Sequence, residues 1–115
     1  MGPANEFQIS DGDGAAVVRV TGEIDILTAP QLRETLLGHL SPTAPNLAVD
    51  LSGVTFIDST GLSVLVNALR RARSFGGDVR LVLPSEQVAK VLELTRLNEL
   101  FVIDAAVDGD GASAR

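Results

Sequence analysis

Cysteine, tryptophan and tyrosine are absent from this 115-residue chain, histidine and methionine occur once each, and the only aromatics are four phenylalanines. Without thiols there is no thiolate nucleophile, no cysteine-ligated metal and no disulfide framework. The same lack suits a reducing compartment. Without tyrosine or tryptophan there is no stacking platform for bases. Cations are also scarce: the net charge is −6, which argues against a nucleic-acid binder, since that function needs a basic face. It argues equally against charge-driven binding to anionic membranes. Long apolar runs are missing, and none approaches the ~20 residues of a membrane span. No N-terminal stretch combines a basic start, an apolar core and a small-residue cleavage site. These absences predict a soluble cytoplasmic protein with no direct membrane insertion. The length has room for one domain, and the core must be aliphatic.

The chain alternates strand and helix patterns. Residues 1–6 read as a flexible start, 7–103 as the folded domain and 104–115 as a mobile tail rich in Gly, Ala and Asp. Phe7-Gln8-Ile9 and Ala16–Val20 read as strands joined by the turn cluster Asp11–Gly14. Gly22-Glu23-Ile24-Asp25 breaks the strand pattern. Thr28-Ala29-Pro30 resembles a helix entry, with Thr28 as cap, and Leu32, Leu36, Leu37 and Leu40 follow at helical spacing. Leu47–Leu51 reads as a buried strand, Ser52-Gly53 as a turn, and Val54–Ile57 as an apolar link. Leu62–Phe75 is an amphipathic helix that buries Leu62, Leu65, Val66 and Leu69 and stops at Gly76-Gly77. Val79–Leu83 is a strand. Ser85 caps a third helix with Val88, Val91, Leu92 and Leu94 inward, and Leu100–Ile103 is a last short strand or apolar anchor. This order predicts an α/β domain: a mostly parallel sheet of four or five strands, an antiparallel N-terminal edge strand, and three or more helices.

The chemistry concentrates in Asp58-Ser59-Thr60-Gly61-Leu62, placed between a strand and a helix. A helix start offers unpaired N–H groups and the positive end of the dipole, a good place to carry a phosphate. A hydroxyl there that is either charged or neutral suggests a switch more than a catalyst. Read by themselves, Ser59 and Thr60 are better explained as helix caps than as a functional site.

Three runs, Gly22-Glu23-Ile24-Asp25, Asp50-Leu51-Ser52-Gly53-Val54 and Phe56-Ile57-Asp58-Ser59-Thr60-Gly61-Leu62, stand in an order and spacing that resembles the STAS domain. Its well-known soluble members are bacterial anti-sigma factor antagonists. The resemblance covers about Phe7 to Ile103. It implies that Ser59 is the phosphoacceptor, with Thr60 as the neighbouring hydroxyl. It implies as partner an anti-sigma factor with serine kinase activity, which binds the unphosphorylated protein, releases a sigma factor, and lets go once Ser59 is phosphorylated. A PPM-type serine phosphatase would reverse the step. The resemblance further implies a partner-binding surface of Glu23, Asp25, Asp58, Ser59, Thr60, Gly61 and Val64, the last on the edge of the exposed side of its helix. No catalytic residue and no cofactor is implied; ATP belongs to the partner.

Blander readings stand beside these. Glu23 and Asp25 by themselves suggest a solvated turn, and with no histidine or third carboxylate nearby no metal site is expected. His39 and the group Arg70, Arg71, Arg73 lie in the last turns of their helices, where cations are mildly favourable. No Gly-x-x-x-x-Gly-Lys-Ser/Thr run is present, so there is no nucleotide P-loop. The alternative function is a STAS accessory subunit that docks a membrane transport or lipid-trafficking complex.

Overall fold

The computed structural model describes residues 5–11 and 15–104. Residues 1–4 of the expected flexible start, 12–14 of the expected turn and 105–115 of the expected tail lie outside them, whereas Asp104, expected to open the tail, is the last residue of the final strand. Period-two patterning forms the first hairpin: β1 (Asn5–Asp11) pairs antiparallel with β2 (Ala16–Ile24), in register from Asn5↔Gly22 to Asp11↔Ala16. Strand β1 begins at Asn5, earlier than the sequence pattern suggests, because the outgoing half of β2 is long enough to pair with it. Phe7 sits opposite Val20 and packs against the core.

Three further strands, β3 (Leu47–Ile57), β4 (Val79–Val82) and β5 (Val102–Asp104), extend the sheet in the order β1-β2-β3-β4-β5, each parallel to its predecessor from β2 on. Parallel neighbours need a crossover between them. Helices α1 (Ala29–Gly38), α2 (Ser59–Ser74) and α3 (Glu86–Leu94) supply these, with a single 3-10 turn, Leu97–Glu99, before β5. The mixed five-stranded α/β domain expected from the sequence is the one observed. Its core is aliphatic, built around Ile24, Leu32, Leu36, Leu47, Leu51, Leu65, Leu69, Leu81 and Leu92, with Phe101 as a buried aromatic.

Two glycine-containing stretches behave differently from their sequence pattern. Strand β3 is an unbroken eleven-residue strand, not a five-residue strand with a turn at Ser52-Gly53. Gly53 is paired with Thr21, and a Cβ there would lie 2.7 Å from Thr21 Cγ2. The glycine serves close approach between strands. Likewise β2 runs on through Gly22, whose φ is +94°, to Ile24. Register shifts between Arg19 and Thr21 and between Gly22 and Glu23 absorb the bend. Both strands therefore reach the same end of the sheet, where Ile24 pairs with Ile57.

Buried Asp50, on β3, accepts from Ser52 N (2.9 Å) and Ser52 Oγ (2.8 Å). Ser85 caps α3 as expected: its Oγ accepts from Val88 N and donates to Val54 O at 2.6 Å, which ties the helix to β3. Leu94 is 77% exposed, not inward. It is the last residue of α3, and the chain then turns away through Arg96, at φ +64°. The guanidinium of Arg80 pairs with the carboxylate of Asp104, joining β4 to β5.

Candidate functional site

Asp58 is the hinge between β3 and α2. Its backbone is extended (φ −108°, ψ −173°), its N–H donates to Ile24 O at 3.1 Å, and its carbonyl accepts from Leu62 N at 3.0 Å. Its carboxylate Oδ1 accepts from Thr60 N (2.9 Å) and Gly61 N (3.1 Å). Asp58 is thus the helix cap, and a carboxylate there also complements the dipole. This changes the reading of the neighbouring hydroxyls. Capping falls neither to Ser59 nor to Thr60. The Ser59 side chain is exposed and takes part in no hydrogen bond among the described residues. It also narrows what a phosphate would find, since two of the N–H groups expected to receive it are already bound to Asp58.

Gly61 closes the corner. A Cβ at this position would lie 2.6 Å from Ile24 Cγ2 and 2.8 Å from Ile57 Cγ1. Only glycine lets the first turn of α2 sit against the paired ends of β2 and β3. The loop after β2 meets the same corner. Asp25 Oδ1 accepts from Leu27 N (3.0 Å), Thr28 N (3.1 Å) and Thr28 Oγ1 (3.2 Å). Thr28 Oγ1 accepts from Asp25 N (2.9 Å), and its single proton is shared between the Asp25 carboxylate and Glu23 O (3.0 Å). Thr28 was expected to cap α1, yet its side chain caps nothing in the helix. It pins the loop instead, and the carbonyl of Asp25 accepts from Ala29 N at 2.8 Å, at the helix start. Glu23 is exposed and pairs across the sheet with Phe56. Glu23, Asp25, Asp58, Ser59, Thr60 and Gly61 therefore share one end of the sheet.

Val64 does not join them at the surface: it is 6% exposed and part of the core. Helix α2 packs on α1 as well as on β3 and β4, so its buried stripe is wider than one apolar row and takes in Val64, Ala68 and Ala72. Its outward side carries Ser59, Ser63, Asn67 and Arg70. With Leu62, Val66 and the facing Leu97 these line an open groove of about 390 Å³.

Sequence reasoning missed the apolar part of the site. Ile26 and Leu27 are 70% and 84% exposed, and Phe56 is 48% exposed. The available signal was two consecutive large apolar residues in a turn, with neither a helical nor a strand partner. Among the described residues, no group of three His, Asp or Glu side chains converges as metal ligands would, and no helix is long and apolar enough to cross a membrane.

The STAS domain family model matches residues 6–109. An anti-sigma-B factor antagonist of Bacillus subtilis (strain 168) is 35% identical over 92 residues, which span 80% of this chain and 84% of that protein. A protein of the same name from Staphylococcus aureus (strain NCTC 8325 / PS 47) is 28% identical over 91 residues, 79% of this chain and 84% of that one. The crystal structure of an anti-sigma factor antagonist from Mycobacterium paratuberculosis superposes with a TM-score of 0.80 at 31% identity, covering 90% of this chain and 88% of that chain. Together with the five-stranded mixed sheet and the capped Asp58-Ser59 corner, these matches show that the chain belongs to the STAS domain family.

Proposed function

We propose that this protein is an anti-sigma factor antagonist: a cytoplasmic regulatory binding protein, not an enzyme, switched by phosphorylation of Ser59. Its partner is an anti-sigma factor with serine kinase activity, which it holds while Ser59 is unmodified, so that a sigma factor is freed. A PPM-type phosphatase resets it. The observation that carries this reading is the Ser59 hydroxyl, exposed and unpartnered at the start of α2 because Asp58 has taken over the cap. The relatives named as anti-sigma factor antagonists support it. The contact surface is formed by Glu23, Asp25, Asp58, Ser59, Thr60 and Gly61, with Asp25, Asp58 and Gly61 acting chiefly by holding the corner in shape.

The switch follows from electrostatics. Phosphorylation adds about −1.5 to −2 charge. Segments 20–32 and 46–69, which build this end of the sheet, contain no lysine or arginine. Arg70 borders the same groove, but it lies eleven residues along α2, roughly 16 Å at 1.5 Å per residue. The segments that form the corner therefore bring no cation to the phosphate; Arg33, on α1, is the first to follow them. Covering it with a partner strips its water, and an unpaired buried charge costs about 3–5 kcal/mol, or roughly 10²- to 10³-fold in affinity. The test is a pull-down with wild-type and Ser59→Asp baits from a lysate of the source organism in the presence of ATP. Retention of a serine-kinase ATPase by wild type alone supports the switch. Equal retention by both baits sinks it, and membrane transport proteins among the captured partners would point to the accessory-subunit function.

A further inference from the structure

We infer that the tip Ile26-Leu27 seats in an apolar pocket of the anti-sigma partner and carries most of the affinity, while Ser59 carries the switch. The inference rests on the proposed function and deepens it. Leu27 and Ile26 are among the most exposed large apolar side chains of the described residues, at 84% and 70%. Isolated exposed apolar residues are ordinary. These two are adjacent, and the loop that holds them is built to keep them outward. The Asp25 carboxylate binds the amides of Leu27 and Thr28, the Thr28 hydroxyl binds Glu23 O, and α1 starts immediately after. A loop fixed in this way has little ordering entropy left to lose on binding, the usual condition for a strong anchor.

The place of the tip decides its occupant. Ile24 pairs with Ile57, and Glu23 with Phe56. The strand ends Ile24 and Ile57 lie ~5 Å apart, and Ile26 and Ser59 each follow two residues beyond that pair. The tip and Ser59 leave the same end of the sheet, so a partner that senses the Ser59 hydroxyl is placed to cover the tip as well. The chemistry agrees. With no lysine or arginine in segments 20–32 and 46–69, this end of the molecule offers apolar area and acidic groups. An apolar seat beside Ser59 also explains why a phosphate is disruptive there, since charge is penalised most where water is excluded.

Calorimetric titration tests this. The probe is the purified serine-kinase anti-sigma factor of the same genome, loaded with ADP so that no phosphoryl transfer occurs. The titrants are wild type, the double variant Ile26→Ala/Leu27→Ala, and Ser59→Asp. The double variant is expected to lose roughly 100-fold in affinity, with a less negative heat-capacity change of binding and an unaltered melting curve, because both side chains are exposed. A loss of under about 3-fold, well below one decade per ~1.4 kcal/mol, combined with release by Ser59→Asp, overturns the role of the tip and leaves the switch standing. No binding by wild type overturns the proposed function, and the tip with it. If sedimentation shows wild type as a dimer and the double variant as a monomer, the occupant is a second copy of this chain, and the inference is likewise overturned.

Discussion

Three residues of one four-residue run divide the work at the corner of this domain. Asp58 holds the helix, Ser59 is left free to be modified, and Gly61 permits the close approach. Each role predicts a different response to substitution. Asp58→Ala removes the acceptor for two first-turn amides and should cost about 1–2 kcal/mol, the range for losing a cap, read as a lower urea midpoint at constant slope. Ser59→Ala should leave the urea midpoint nearly unmoved, within about 0.5 kcal/mol as for most surface changes, while abolishing the phosphopeptide seen by mass spectrometry on incubation with the kinase. A phosphopeptide that persists in Ser59→Ala would move the modification to Thr60. Gly61→Ala drives a methyl group to within 2.8 Å of Ile24 and Ile57 side chains and should cost about 1–3 kcal/mol by overpacking. An unchanged midpoint would mean that the corner relaxes easily.

At the level of elements, the loop between β2 and α1 is held by the Thr28 hydroxyl together with the Asp25 carboxylate. Thr28→Val keeps the volume but removes the links to Glu23 O and Asp25 N. The expected loss is about 1–2 kcal/mol, as for hydrogen bonds left half-made, together with faster hydrogen exchange at the Asp25 amide. Unchanged exchange there would show that the carboxylate of Asp25 holds the loop without the hydroxyl. The elements themselves were largely legible in the sequence, because each buries one face and so writes its own period. The strand Val79–Val82, the Ser85 cap and the helix after Asp58 are read directly from residue types. What the sequence hid was pairing. Gly53 looks like a turn because glycine often makes one, yet here it faces Thr21 across two strands, a contact visible only after they pair. Val64 looks like a flank residue from the helical period of α2 alone. The second cover, α1, comes from elsewhere in the chain and widens the buried stripe. Ile26 and Leu27 were overlooked because an apolar pair in a turn has no period to read.

For the whole molecule, the question is whether the proposed switch acts by shape or by surface. The geometry favours surface. A phosphate on Ser59 meets a helix start whose Thr60 and Gly61 amides are already bound to Asp58, and Asp58 itself repels it. Neither a new intramolecular bond nor a buried clash results, because the side chain points to solvent. The core that sets stability, from Val18 and Leu36 to Leu81 and Leu92, is aliphatic and holds no ionised side chain for the charge to act on, and salt screens the field beyond about 8 Å at physiological ionic strength. Phosphorylated protein should therefore melt within about 3 °C of the unmodified form, given surface effects near 0.5 kcal/mol and roughly 4–8 °C per kcal/mol for a domain of this size. Its backbone amide resonances should shift only around residues 22–28 and 56–67. A melting point lower by about 8 °C or more, beyond what ~1 kcal/mol gives in such a domain, or shifts that spread to β1 and β5, would mean that phosphorylation reshapes the fold. Release of the partner would then be conformational, and the added charge would be its trigger and not its cause.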